Sequence, residues 1–300
     1  MKISGNDLTT LRVFDAVVRH GGFVAAQREL DTSLSTISNH IRALEDRLGV
    51  KVCHRGREGF RLTEQGRIVI VEARRLLLAL DDFALQASDL RRQLLGQLRI
   101  GLADSIATDP ALHLSEAIAR FKRIPNAVTV EITQDPPQAL QQAVRSGDRH
   151  LGIGSFPHKE KGLLYEPLYA ERHSLYCAPG HRVFAIDDAA LSAAEVRAEV
   201  IVSRGYWRQE FVTNLGFENI GALVYQIEPQ LLLIRSGEYL GFLPDHYAQS
   251  WVAAGQLRAV LPKAVSYTCT FDLVTRKGTE ASRMVTTFLG LLRQAQGVAR

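Results

Sequence analysis

The chain has 300 residues, 46% of them apolar and 23% charged, which is the make-up of an ordinary globular protein with room for two domains. The apolar window from Ile68 to Leu80 is broken by Glu72, Arg74 and Arg75, which excludes a membrane span, and the stretch Met1 to Asp7 lacks the apolar run of a secretory leader. Three unpaired cysteines, Cys53, Cys177 and Cys269, exclude a disulfide framework and a zinc finger, and fit small buried side chains in the reducing cytoplasm.

The first 109 residues contain none of the ten prolines, which predicts a helical front end. Leu8, Leu11, Val13, Phe14, Val17 and Val18 recur at helical spacing up to Gly21-Gly22. A shorter helix is expected from Phe23 to Leu30, with Ala25 and Ala26 permitting close packing. Asp31-Thr32-Ser33 supplies a turn and a cap. A third helix follows, with Leu34, Ile37, Ile41, Leu44 and Leu48 on one face, and it closes at Gly49. Its other face carries Ser35, Thr36, Ser38, Asn39 and Arg42. Residues 50–62 read as a small β-hairpin.

Charge is uneven along the chain. Residues 1–62 hold ten basic and seven acidic side chains, residues 63–96 five of each, and the remainder 21 and 20. In the hairpin Lys51, Arg55, Arg57 and Arg61 oppose only Glu58, a local basic patch of the kind that meets phosphate. A solvated basic hairpin has the same composition.

Thr63 should cap a helix running to about Leu95, with Glu64 in its first turn. Its middle is apolar nearly all round, so it must meet another subunit or the chain's own core. A dimerisation spacer is favoured over a long internal helix. From Gln97 strands and helices alternate: strands over 98–103, 128–134 and 151–156, with helices over 110–121 and 137–146 between them. A crossing near 162–167 leads to strands near 174–178, 200–203, 223–226 and 240–243. Helices 206–215, 229–236 and 246–254 fit among those strands, then a strand over 268–275 returns and a helix over 282–294 closes the chain. Such alternation predicts parallel sheets in two α/β lobes around a cleft.

The pattern Gly22-Phe23-x-Ala25-Ala26, Leu30, Ser33-x-Ser35-x-Ile37-Ser38, Leu44-Glu45-x₂-Leu48-Gly49-Val50, Arg55 and Leu62-Thr63-x₂-Gly66 resembles the LysR-type transcriptional regulators. The resemblance is specific over residues 8–66 and looser beyond. It implies an α/β chain with an all-α front: a winged helix-turn-helix over 1–62, a linker and dimerisation helix over 63–96, and a periplasmic-binding-protein-like effector domain over 97–300. Lobe I would comprise 97–167 plus 268–300, and lobe II 168–267. The implied partners are operator DNA, a small polar effector, RNA polymerase, and further copies of the chain as a dimer or tetramer.

On this resemblance Ser33, Leu34, Ser35, Thr36, Ser38 and Asn39 face the major groove, with Arg42 reaching further by its length, and Arg55 meets phosphate or the minor groove. Arg57 is added on charge alone. Leu34 and Asn39 stand where family members often carry Gln and Arg, so a base preference does not transfer. Each serine taken singly could be a cap or surface residue. For the effector, Ser105 matches the family's hydroxyl. Asp104, Gln134, Asp135, Ser155, Ser203, Arg204 and Glu228 stand at expected strand ends. Arg204 could clamp a carboxylate, whereas the acids favour an amine or serve as caps and surface charges. Tyr239, where the family usually has Gly, could narrow the cleft.

No cofactor or metal is expected, and the chain offers no nucleophile elbow, phosphate loop or metal-spaced histidine pair. Catalysis is accordingly disfavoured. The rival within DNA binding is an architectural protein with no effector.

Overall fold

The computed structural model describes residues 3–54, 59–89, 94–103, 106–279 and 282–297. They fall into two compact units, one holding the elements up to the long fourth helix together with Ser146–Asp148, and the other the rest of the chain after that helix.

In the first unit, α1 (Gly5–Arg19) begins with a capping box between Ser4 and Asp7. Next come α2 (Phe23–Leu30) and α3 (Leu34–Leu48). The turn between them is made by Asp31, which takes the left-handed conformation at φ 43°, and by Ser33, whose hydroxyl accepts the Thr36 N–H. Gly49, at φ 68°, ends α3. Phe14, Val17, Ala26, Ile37 and Ile41 form a fully buried core among the three helices. β1 (Cys53–His54) pairs with β2 (Arg61–Leu62), placing Cys53 opposite Leu62. α4 (Glu64–Asp89) starts under Thr63, whose hydroxyl accepts the Gly66 N–H at 2.8 Å and donates to the Lys51 carbonyl at 2.6 Å. At 26 residues α4 spans about 39 Å. No helix among the described residues is long and apolar enough to cross a membrane.

The second unit is built on β3 (Leu94–Leu102), α5 (Leu114–Arg123), β4 (Asn126–Gln134), α6 (Pro137–Ser146), β5 (Leu151–Gly154) and β6 (Leu163–Cys177). It continues with α7 (Ala193–Arg197), β7 (Ile201–Arg204), α8 (Arg208–Asn214), β8 (Ile220–Val224), α9 (Ile227–Arg235) and β9 (Leu240–Pro244). The last elements are α10 (Asp245–Ala253), β10 (Arg258–Ala259), β11 (Ser266–Arg276) and α11 (Arg283–Gln296). Nine strands join in the order β4-β3-β5-β11-β6-β9-β7-β8, with β10 on β6. β3 is parallel to β4 and β5, and β7 is parallel to β8 and β9. The two parallel groups are linked by β6 and β11, which run antiparallel from Leu163 to Ser174 of β6, over the whole of β11. Each lobe has its own apolar core, around Leu140 and Val144 in the first and around Phe217 and Ile234 in the second.

Several boundaries differ from the sequence expectation. Leu94 to Gly96 belong to β3, not to the end of the linker helix, because they pair with Asn126 to Val128 and bury Leu94 on the sheet. The helix expected at Pro110 starts at Leu114; Asp109 caps a preceding turn instead, accepting the Ala111 N–H at 2.8 Å. The expected crossing near 162–167 and the strand near 174–178 are one strand, β6. Pro167 is tolerated there because it sits where the β6–β11 register shifts, opposite Asp272. β8 occupies 220–224 rather than 223–226, and α7 and β10 were not anticipated.

Candidate functional site

Two sites emerge, one in each unit. In the first, the buried face of α3 (Ile37, Ile41, Leu44) fixes the helix against α1, so the opposite face must look outward. Ser33, Leu34, Ser35, Thr36, Asn39 and Arg42 are exposed, Leu34 at 40%, and Ser38 is half-buried. The Ser33 hydroxyl exchanges hydrogen bonds with those of Ser35 (2.7 Å) and Thr36 (2.8 Å), forming a polar crown at the helix N-terminus. Ser35, Ser38, Asn39 and Arg42 follow at spacings of three and four, one continuous polar stripe.

The hairpin is held to this helix by Glu45. Its carboxylate accepts from Lys51 Nζ at 2.7 Å and from the Val52 N–H at 3.0 Å. Burial alone would push this carboxyl up, but those hydrogen bonds outweigh it and hold it below the ordinary value. Phe60 then packs edge-to-face on Phe23 of α2, with centroids 6.0 Å apart. At the far end of α3, Arg47 donates to both oxygens of Asp7. That pairing, together with Ser4, lowers the Asp7 carboxyl to about 2. Arg55 and Arg57 lie outside the described residues.

In the second unit a narrow cleft, about 430 Å³ when the solvent-open space at its mouth is included, lies where the lobes meet over β6 and β11. Of the residues expected at strand ends, Ser155 and Arg204 line it. Arg204 is buried; its Nε donates to Gln230 Oε1 at 2.5 Å and its Nη1 to the Tyr206 hydroxyl at 2.7 Å. Gln134 and Asp135 line an adjoining hollow of about 240 Å³ together with Tyr206, Tyr225 and Gln226. Asp104 and Ser105 lie outside the described residues.

Two expected contacts are corrected. Ser203 is buried but does not line the cleft, because strand alternation turns it to the face opposite Arg204. Glu228 is exposed in the first turn of α9, where a carboxylate complements the helix dipole; Gln230 faces Arg204 in its place. Tyr239 does not narrow the cleft either, since its ring packs beside Gly221 and Val200 in lobe II.

Sequence reasoning missed the polar floor of the cleft. Glu171 and His173 stand two apart on one face of β6, and Cys269 of β11 is registered directly opposite Glu171. His173 Nε2 meets Glu171 Oε1 at 2.6 Å, and its ring stacks on Tyr267 with centroids 4.6 Å apart. The other Glu171 oxygen accepts from His246 Nε2 at 2.9 Å; His246 Nδ1 in turn meets the Thr108 hydroxyl at 2.8 Å. Burial would raise the Glu171 carboxyl, yet the two imidazoles lower it below the ordinary range. Burial, with the Glu171 charge, pushes the Cys269 thiol up to about 12. A buried anion clasped by two imidazoles beside a buried guanidinium can receive a charged or polar ligand.

Residues 8–67 match the bacterial regulatory helix-turn-helix proteins of the lysR family, and residues 91–297 match the LysR substrate binding domain. The HTH-type transcriptional activator BauR of Pseudomonas aeruginosa is 36% identical over 289 residues, 96% of this chain and 95% of its own. Two solved structures share the fold. A full-length OxyR variant from Pseudomonas aeruginosa gives a TM-score of 0.69 at 20% identity, covering 98% of this chain and 95% of that one. Full-length CbnR complexed with its target DNA gives 0.61 at 20% identity, covering 96% and 99%. With both family descriptions matched in order and a relative this similar along its whole length, the chain belongs to the LysR family of DNA-binding transcriptional regulators, a helix-turn-helix followed by an effector-binding substrate domain.

Proposed function

We propose that this regulator reads double-stranded operator DNA with Ser33, Leu34, Ser35, Thr36, Ser38, Asn39 and Arg42 in the major groove, while Arg55 and Arg57 of the wing meet the backbone. The observation that carries this reading is the exposed hydroxyl crown of α3, linked side chain to side chain and backed by a fully buried apolar face. Leu34 offers an apolar surface to a thymine methyl. Homodimers would form through α4, where Ile68, Val71 and Phe83 stay exposed within about 120° of one another at 100° per residue. RNA polymerase is a further partner and the cytoplasm the place of action. The protein works by binding, not by catalysis.

The lobes take a compact, polar, charged effector, held by Ser155 and Arg204, with Gln134 and Asp135 of the adjoining hollow available to a longer one. Selection of duplexes from a random pool by the full-length protein supplies the operator, and gel shifts then test the contacts. Ser38→Ala should weaken operator binding about 5- to 100-fold, the equivalent of ~1–3 kcal/mol. Arg55→Ala should weaken all duplexes alike and reduce the salt slope by about one. Unchanged affinity for both variants would refute the assignment. A thermal-shift screen of charged metabolites tests the effector, since a true ligand raises Tm by mass action and loses that effect in Arg204→Lys.

A further inference from the structure

We propose that Glu171, His173 and Cys269 form a three-ligand site for a borderline-soft divalent cation of the zinc class at the floor of the cleft, with its fourth position open to the cleft. The inference rests on reading that cleft as a ligand site, and it names an inorganic occupant that the reading did not include.

Topology assembles the donors. Glu171 and His173 project from the same face of β6, and the register sets Cys269 across from Glu171 on β11, so three ligand types converge from two adjacent strands. One ligand atom from each lies within 4.8 Å of the others, and all three residues line the cleft. A tetrahedral zinc bound at the usual bond lengths holds its nitrogen and oxygen ligands about 3.3 Å apart, and its sulfur and nitrogen about 3.5 Å apart. His173 Nε2 and Cys269 Sγ are already 3.5 Å apart. Nε2 and Glu171 Oε1, joined by a hydrogen bond at 2.6 Å, must open by about 0.7 Å, which small torsional changes in a glutamate can supply.

The charge balance is favourable. A glutamate and a thiolate bring two negative charges to a divalent cation, giving a neutral buried site. Binding breaks the Cys269 S–H bond, releases that proton to solvent and moves the His173 proton from Nε2 to Nδ1; no redox change is involved. An outer shell is in place for the Glu171 arm, whereas His173 Nδ1 is buried with no hydrogen-bond partner among the described residues. His246 Nε2–H holds the second Glu171 oxygen at 2.9 Å, and Asp109 and Thr108 orient His246 from 3.4 and 2.8 Å. The Tyr169 hydroxyl is buried with no hydrogen-bond partner among the described residues, close enough to Glu171, Asp109 and Cys269 to feel their charges.

The test titrates the reduced full-length protein with Co²⁺ and then displaces it with Zn²⁺. One equivalent of Co²⁺ should produce a thiolate-to-metal charge-transfer band and tetrahedral visible bands, both lost on adding Zn²⁺. Cys269→Ser should abolish the charge-transfer band and weaken binding at least tenfold, whereas Cys53→Ser and Cys177→Ser should retain it. Should Cys269→Ser fail to fold, zinc-edge X-ray absorption of the unaltered protein decides. One sulfur at about 2.3 Å with nitrogen and oxygen at about 2.0 Å supports the site, and a shell without sulfur overturns it. Absence of stoichiometric cobalt binding, or a band indifferent to Cys269→Ser, likewise overturns it. If small molecules still raise Tm in a protein that binds no cobalt, the metal site alone is refuted; if neither binds, the effector-cleft reading falls as well.

Discussion

Gly66→Ala should destabilise the DNA-binding unit, although alanine is the better helix former. Gly66 lies in the first turn of α4, where the alanine preference is worth about 1 kcal/mol. A Cβ built there falls 2.8 Å from the Val52 carbonyl carbon and closer still to its oxygen, and both are backbone atoms that cannot rotate away. Restoring ordinary contact requires β1 and α4 to part by more than about 1 Å. That movement strains the Thr63 N–H to Val52 carbonyl bond (3.1 Å), the Thr63 hydroxyl bond to the Lys51 carbonyl (2.6 Å) and the Val52 N–H bond to Glu45 (3.0 Å). Overpacking costs about 1–3 kcal/mol, and each hydrogen bond weakened adds about 0.5–1.5 kcal/mol. Set against the propensity gain of about 1 kcal/mol, the net loss is about 1.5–6.5 kcal/mol, the upper end applying if all three bonds are weakened in full. Gly290→Ala is the matched control, because a Cβ in that helical position of α11 meets nothing within 4 Å. It should stabilise its own unit by about 0.5–1 kcal/mol. Calorimetric melting of the full-length protein separates the two, with operator affinity falling for Gly66→Ala as the wing shifts. An unchanged or raised melting transition for Gly66→Ala would refute the packing argument.

Three further outcomes are expected. The Asp7 carboxyl is lowered by Arg47 and Ser4 from about 3.8 to about 2, so its contribution is complete above pH about 4 and is lost as pH falls through about 2. Asp7→Asn should remove the part of acid unfolding that falls in that window, as followed by helix content. His150 behaves in the same direction for a different reason: burial, then the charges of Arg99, Arg276 and Arg149, holds it neutral down to about 3 against an ordinary 6.5. The unfolded chain therefore takes up this proton first, and stability declines between pH about 6.5 and about 3. His150→Gln, which keeps an acceptor for the Arg99 N–H, should flatten Tm against pH there, and an unaltered slope would exonerate His150. Phe121→Ala should cost ~3–5 kcal/mol, because Phe121 is fully buried edge-to-face on Phe288 with centroids 5.6 Å apart; urea unfolding of the second unit measures it.

What the sequence made legible was whatever is decided locally. α2, α3 and α6 have the expected ends because caps and breakers fix them: Gly22 and Asp31 around α2, Ser33 and Gly49 around α3, Pro137 at the start of α6. The exposed crown was equally legible, since a helix with Ile37, Ile41 and Leu44 inward has its hydroxyls outward by geometry. Boundaries decided by distant partners were not. Leu94 to Gly96 suit a helix end until β4 offers them hydrogen bonds. Glu166-Pro167 looks like a break until β11 supplies a register shift that accommodates the proline. The cleft floor was hidden for the same reason. Glu171-x-His173 in a strand resembles a solvent face, and only the pairing with β11, nearly a hundred residues later, buries it beside Cys269. The one available signal was the alternation itself: two ionisable residues two apart in a strand whose neighbours Leu175 and Cys177 continue the same face into the core.

The strands that carry this floor are also the strands that join the lobes, which ties ligand chemistry to lobe geometry. Over the cleft the lobes are bonded by His246 to Thr108 (2.8 Å), His246 to Asp109 (3.4 Å) and Gln138 to the Tyr206 carbonyl (2.9 Å). Any separation of the lobes breaks these contacts, at a net cost of about 0.5–1.5 kcal/mol each. The sum, about 2–4 kcal/mol, is comparable to the differential affinity with which ordinary ligands shift populations, each tenfold preference being worth about 1.4 kcal/mol. Two groups sit where a ligand would act on that balance. A cation drawn to Glu171 displaces the bond from Oε1 to His173 and polarises the carboxylate whose other oxygen holds His246, and a carboxylate drawn to Arg204 competes with the Tyr206 hydroxyl. Both routes end on a residue of the inter-lobe bonds, His246 in one case and Tyr206 in the other. A ligand of either charge therefore acts one bond away from the contacts between the lobes, through the Glu171–His246 bond in one case and through Tyr206, whose carbonyl Gln138 holds, in the other.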